Sequence, residues 1–168
     1  MVFVRRLSTA VLAAALCATG SGPAAAAVTP VPYGTGAQIS TDTGRVEYTV
    51  SAPRVVVFHE DEYDGKSSSW KPGAVIASMV RVQVSVRGVS GEVDATSSVQ
   101  LVYEAPDGLL AGTDVPPSAH EKTDLLLSKP STLSEGQRII GEVYFASKTG
   151  GGKVIASSGG RRQATWRP

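Results

Sequence analysis

Asparagine is absent from the 168-residue sequence, and cysteine occurs only once. Without asparagine the chain contains no N-glycosylation sequon. The single cysteine, Cys17, lies within the first 27 residues, so the remainder of the chain forms no internal disulfide bond. We therefore expect the folded domain to be held by its hydrophobic core alone.

Histidine is also scarce, with His59 and His120 as the two examples. A serine hydrolase would have to use one of them, together with a serine such as Ser118. The sequence has no G-x-S-x-G nucleophile elbow, and no strand-to-helix turn that would present such a serine is predicted. We therefore expect a protein that is not an enzyme and that carries no cofactor.

The first 27 residues have the pattern of a cleaved signal peptide. Arg5 and Arg6 precede an apolar run from Leu7 to Ala18, and four alanines end at Ala27, where we expect cleavage. A membrane anchor is disfavoured because the apolar run is too short to span a bilayer. A lipid anchor on Cys17 is disfavoured because Leu16 precedes it, where a small residue is required. The sequence thus predicts a secreted protein, with no membrane partner after cleavage.

The charge of the mature chain is close to zero. Removal of Arg5 and Arg6 leaves 14 of the 16 basic residues against 15 acidic residues, which gives a net charge of −1 with histidine neutral. Nucleic acids and anionic membranes require a basic surface. The charge balance therefore argues against a nucleic-acid partner.

Valine at every second position marks the most regular strand. Val80, Val82, Val84 and Val86 alternate with Arg81, Gln83, Ser85 and Arg87, a period of two that is typical of a strand with one buried face. A second alternating run, with Leu101 and Tyr103, follows Gly88 and Gly91 and ends near the turn at Asp107-Gly108. We predict that the two runs form one long antiparallel hairpin.

The rest of the chain predicts further short strands and no helix. Strands are predicted at residues 44–50, 54–58, 122–127, 138–147, 153–157 and 161–166, with loops at 59–73 and 109–121 and a turn at 132–136. This pattern predicts an all-β domain, an antiparallel β-sandwich of seven to eight strands over residues 44–168, with a closed barrel as the alternative. Residues 28–43, rich in proline and glycine, are predicted to be a flexible N-terminal lead-in.

An acidic segment is the most unusual local feature. His59, Glu60, Glu62 and Asp64 supply the oxygen and nitrogen atoms that metal ions prefer. An EF-hand register places Lys71 where the closing acid is required, so we do not predict a metal site. The alternative interpretation, a metal-binding or hydrolytic protein that uses residues 59–64, remains open. The predicted binding residues are Glu60, Asp61, Glu62, Tyr63, Asp64 and Trp70.

Several short motifs resemble those of one known family. They are Asp42-Thr43-Gly44-Arg45-Val46, Thr49-Val50-Ser51, Arg87-Gly88, Ala105-Pro106-Asp107-Gly108, Gly141-Glu142-Val143-Tyr144-Phe145 and Trp166-Arg167-Pro168. From about Gly36 onward the chain resembles the mycobacterial major secreted immunogenic protein family. The resemblance implies a secreted, immunoglobulin-like and non-enzymatic sandwich.

Binding is the function that these observations predict. We expect a monomer that binds an unidentified protein or cell-surface component through residues 60–72 or through an exposed sheet face, as a host- or surface-interacting, immunogenic protein. The competing class is a purely structural envelope component, which a large flat apolar surface would favour.

Overall fold

The computed structural model of the protein describes residues 28–64, 69–117, 124–129 and 131–168, and for residues 61–64, 69–72 and 127 it describes the backbone only. No helix in these residues is long and apolar enough to cross a membrane. The strands are β1 (Val31–Pro32), β2 (Gly36–Ser40), β3 (Gly44–Val50), β4 (Arg54–Asp64), β5 (Ser69–Gly91), β6 (Val93–Asp94), β7 (Gln100–Glu104), β8 (Leu110–Asp114), β9 (Thr132–Leu133), β10 (Arg138–Phe145), β11 (Lys153–Ser158) and β12 (Arg161–Arg167). A 3₁₀ helix, Leu126–Ser128, precedes β9.

The strands form two sheets that share one strand. One sheet has the order β1-β12-β11-β7-β8, and the other has the order β8-β10-β5-β3-β2, with β4 beside β5. Strand β8 pairs with β7 through Val102–Gly112 and with β10 through Tyr144–Asp114, so it joins the two sheets at one edge. Strands β6 and β9 form a separate two-stranded ladder. The predicted all-β sandwich is confirmed.

The core lies between the inner faces of the two sheets. Val80, Val82, Val84 and Val86 of β5 are buried, as the alternation predicts, and they share one cluster with Tyr103 and Trp166 of the other sheet. The indole Nε1 of Trp166 donates a hydrogen bond to the Thr35 carbonyl oxygen at 2.9 Å. The sandwich therefore has a conventional apolar interior, with the polar atom of its largest buried side chain satisfied.

The predicted hairpin between residues 80–87 and 99–103 is wrong. Strand β5 pairs with β10, β3 and β4, whereas β7 pairs with β11 and β8 in the other sheet. Residues 92–99 carry the chain between the sheets, and the turn at Asp94 is fixed by its Oδ1 atom, which accepts the N–H of Ser97 at 3.0 Å. The turn at Asp107-Gly108 is present, but it joins β7 to β8. Alternation predicts a strand without specifying its neighbour.

Three other sequence predictions differ from the structure. Residues assigned to a flexible lead-in form β1 and β2, because Ile39 enters the core and β2 pairs with β3 along its whole length. The loop predicted at 109–121 contains β8. In the strand predicted at 122–127, residues 122 and 123 lie outside the described residues; Leu125 makes one isolated bridge to Glu142, and the chain then turns into the 3₁₀ helix.

Candidate functional site

The predicted loop at residues 59–73 is a two-stranded ribbon in the structure. Strand β4 continues to Asp64, β5 begins at Ser69, and the ladder sets Glu62 opposite Lys71 and Tyr63 opposite Trp70. The charged composition indicated a loop, but an antiparallel pair needs no buried face, and opposite charges at paired positions favour it. We call residues 54–64 and 69–79 the β4–β5 ribbon.

The ribbon contains every binding residue that the sequence predicted. Glu60, Asp61, Glu62, Tyr63 and Asp64 lie on β4, and Trp70 lies on β5. His59 and Glu60 are exposed, whereas the side chains of residues 61–64 and 70 lie outside the described part. Among the described residues no three His, Cys, Asp or Glu side chains group as metal ligands. Ser118 and His120, the hypothetical hydrolytic pair, also lie outside the described residues.

A small cluster anchors the ribbon to the outer face of its sheet. Phe58 of β4 and Met79 of β5 pack with Tyr144 of β10, and the Phe58 and Tyr144 ring centroids are 5.9 Å apart. The Tyr144 hydroxyl donates to Glu142 Oε2 at 2.7 Å, and Glu142 Oε1 pairs with Arg81 at 3.1 Å. Burial, and then the neighbouring Glu142 carboxylate, raise the pKa of Tyr144 to about 12. The base of the ribbon is therefore fixed by packing and by a satisfied polar network.

The opposite face of the ribbon exposes aliphatic side chains. Val55 stands opposite the core residue Val80, so it continues the apolar inner face of the sheet, yet it is 44% exposed. Val75 and Ile76 are 59% and 51% exposed. Monomeric proteins rarely leave several aliphatic side chains together in water unless the surface binds something.

One edge of the ribbon is open as well. Strand β10 ends at Phe145, opposite Val80, and among the described residues Ala74–Met79 pairs only with β4. The apolar run AVIASM at residues 74–79 directly precedes the alternating valines and by itself predicts no open edge. This run lacks polar alternation, and such a pattern indicates either continuous burial of the strand or coverage of the strand by a bound partner.

Comparison with known proteins supports the fold. No family model and no curated protein sequence matches the chain. The structure is similar to that of MPT63, a secreted protein from Mycobacterium tuberculosis, with a TM-score of 0.56 and 15% identity over 85% of this chain and 99% of that chain. The yjhA protein from Bacillus subtilis gives a TM-score of 0.47 and 14% identity over 74% of this chain and 79% of that chain. The likeness to MPT63 confirms the predicted family resemblance at the level of the fold.

Divalent metal ions are expected to leave the thermal stability unchanged. Carboxylates that are merely solvated repel one another, but this repulsion is screened beyond about 8 Å at physiological salt. A real site would stabilise the fold by about 2.7 kcal/mol at a hundredfold excess of metal over Kd. We expect no rise in melting temperature with millimolar Ca²⁺, Mg²⁺ or Zn²⁺. A rise of several degrees that is abolished by Glu62→Gln combined with Asp64→Asn would instead make the ribbon a metal site.

Proposed function

We propose that the chain is an exported, non-catalytic protein that binds a partner protein by strand addition to the Ala74–Met79 edge of the β4–β5 ribbon. The observation that carries this proposal is the open apolar edge, on which Val75 and Ile76 are more than half exposed. Addition of a strand would satisfy the backbone groups of this edge and cover both side chains.

The two edges of the ribbon differ in a way that favours this choice. Pro53 and Arg54 stand at the beginning of the β4 edge, and Glu60 lies on β4 as well. Such features block the pairing of exposed edges in soluble proteins. In contrast, residues 74–79 carry no charge and no proline, although the register shift between Phe58 and His59 places a bulge at Ile76 of β5.

The same ribbon indicates the chemistry of the partner. Residues 60–72 contain four acidic residues and two lysines, which leaves two net negative charges beside the apolar edge. The partner segment is therefore extended, with aliphatic side chains that meet Val75 or Ile76 and basic residues that meet the acidic part of the ribbon.

Side-chain variants of the edge test the proposal. We would capture exported proteins on the immobilised mature chain and on the variants Ile76→Lys and Leu109→Lys. Leu109 is the matched control because it is also an exposed aliphatic residue, at 70%, but lies in the β7–β8 turn. The partner should bind the unaltered chain and Leu109→Lys and be lost from Ile76→Lys.

Hydrogen exchange of the complex then locates the contact. The backbone amides of residues 74–79 that face away from β4 should exchange more slowly when the partner is bound. Protection of another edge, such as β2, or equal binding by both variants would overturn the proposal. Sedimentation at rising concentration tests whether the added strand comes from a second copy, which would contradict a separate partner.

The proposed function also includes export from the cell and membership of a protein family. We infer that the chain is a distant member of the family of secreted immunogenic proteins that the sequence motifs resemble, and that it acts outside the cell. The structural similarity to MPT63, which covers 99% of that chain, and the charged and apolar start of the sequence support this inference.

The exported protein should begin close to Val28. The alanines at positions 24–27 provide the small residues that signal peptidase requires before its cleavage site. N-terminal sequencing of protein purified from the culture medium checks this expectation. Detection of Arg5 in the purified protein would contradict it.

A further inference from the structure

A crevice opens into the sandwich where β8 crosses from one sheet to the other. The beginning of β7 and the middle of β10 form two of its walls, and Leu125 and Leu126 line it as well. The segment at Leu126 lies tight against β10, since an ideal Cβ placed on Gly141 would be 2.6 Å from the Leu126 Cα. The resulting crevice has a volume of about 380 Å³, within the range of small-molecule sites.

The crevice is apolar inside and has few polar groups. Val99, Leu101, Leu126 and Val143 line its inner part, and all four are buried. Tyr48 and Ala95 also line the crevice, and the Tyr48 hydroxyl donates to the Ala95 carbonyl oxygen, so the phenol oxygen can accept a further hydrogen bond. Burial raises the pKa of Tyr48, which keeps this group protonated and neutral. An apolar lining with one or two placed polar groups is typical of a ligand pocket.

The charged residues at the mouth of the crevice restrict the charge of the ligands that it can bind. Asp114 and Glu142 are the charged lining residues, and none of the described lining residues is Lys, Arg or His. Glu142 is already paired with Arg81, and the exposed Asp114 has no basic residue beside it among the described lining residues. A carboxylate would be repelled here, whereas an ammonium or hydroxyl group would be accepted.

We propose that this crevice binds a small molecule with an aliphatic body and a cationic or neutral polar end. The aliphatic body would lie among Val99, Leu101 and Val143, and the polar end would lie near Asp114. The crevice shares Tyr144 and Glu142 with the base of the β4–β5 ribbon but is lined by no residue of the Ala74–Met79 edge, so this proposal and the proposed partner binding can be tested independently.

Three eight-carbon probes that differ only in the polar end test the proposal: octylamine, octanol and octanoate, each below its micelle concentration. Binding would be followed through the NMR methyl signals of Val99, Leu101 and Val143 in the mature protein. We expect octylamine and octanol to shift these signals and to raise the melting temperature, and we expect octanoate to bind more weakly. Asp114→Asn should reduce the preference for octylamine over octanoate.

A variant in which a larger side chain fills the crevice supplies the second test of ligand binding. Thr113 is exposed and stands opposite the core residue Phe145, so Thr113→Phe is expected to occupy the crevice and weaken octylamine binding about tenfold or more. Thr132→Phe is the matched control, because Thr132 is exposed on β9 and does not line the crevice. If Thr113→Phe does not fold, the methyl signals of the unaltered protein are the test of the proposed ligand binding. Absence of methyl shifts up to the solubility limit, shifts confined to Val75 and Ile76, or preferred binding of octanoate would each overturn the proposal.

Discussion

Val84→Asp is expected to unfold the domain. Val84 is fully buried and stands between Val50 of β3 and Gly141 of β10, so a carboxylate there would face the apolar core without a partner. Burial of an unpaired charge is one of the few single changes that cost more than about 4 kcal/mol. Circular dichroism of the purified variant, or its absence from the soluble fraction, would show the loss of structure.

Gln83→Asp is the matched control on the neighbouring position. Gln83 is exposed on the outer face and stands directly opposite Glu142, so an aspartate would add a like-charge pair at the surface. The expected loss is below about 1 kcal/mol. If the denaturant midpoints of the two variants shift equally, the assignment of the inner face of β5 is wrong.

Gly88→Ala should produce a large loss of stability from a single added methyl group. Gly88 holds the turn at residues 134–137 against β5, because its N–H donates to Gln137 at 2.9 Å and its carbonyl accepts from Gly136 at 3.0 Å. A Cβ atom added to Gly88 would overlap the Ser134 carbonyl group, whose carbon atom would lie 2.8 Å from the added Cβ. Since backbone rather than a flexible side chain occupies this space, we expect a loss of about 1–3 kcal/mol or more.

Gly112→Ala should have the opposite effect. Gly112 lies in β8, and an added Cβ would meet no atom within 4 Å. Loss of glycine freedom in the unfolded chain then predicts a gain of about 0.4–1 kcal/mol. Urea midpoints of both variants, measured against the unaltered mature chain, test the pair. A loss at Gly112 as large as that at Gly88 would mean that glycine substitution in strands, and not overlap with the turn, is responsible.

The inner face of β5 was predictable from the sequence, but its neighbours were not. Alternating valines and polar residues over positions 80–87 indicate which side chains enter the core, because successive strand residues point to opposite faces. The same pattern recurs at residues 99–103, and nothing in it shows that Asp94 turns the chain toward the other sheet. Pairing in a sandwich depends on contacts between distant residues, such as Val102 with Ile155, which local periodicity does not encode.

The candidate site was predicted to be a loop, whereas the structure forms it as a two-stranded ribbon. The acidic residues after His59 suggested a loop because charge is common in loops, while the ladder between β4 and β5 depends on backbone pairing. The lack of polar alternation at Ala74–Met79 did not distinguish a buried strand from an open edge, because the exposure of this edge results from the end of β10 at Phe145. The crevice, likewise, exists only because β8 changes sheets.

The pairing of β1 with β12 has a consequence for the kinetics of folding. Val31 pairs with Trp166, and the Tyr33 N–H donates to Arg167 at 3.1 Å, so the first and last strands of the domain meet. Loop closure over such sequence distances makes folding slow, on the order of milliseconds to seconds for sandwiches of this kind. The ladder between β1 and β12 therefore cannot form until β12 has been synthesised, so the sandwich is completed only after the whole domain has been made.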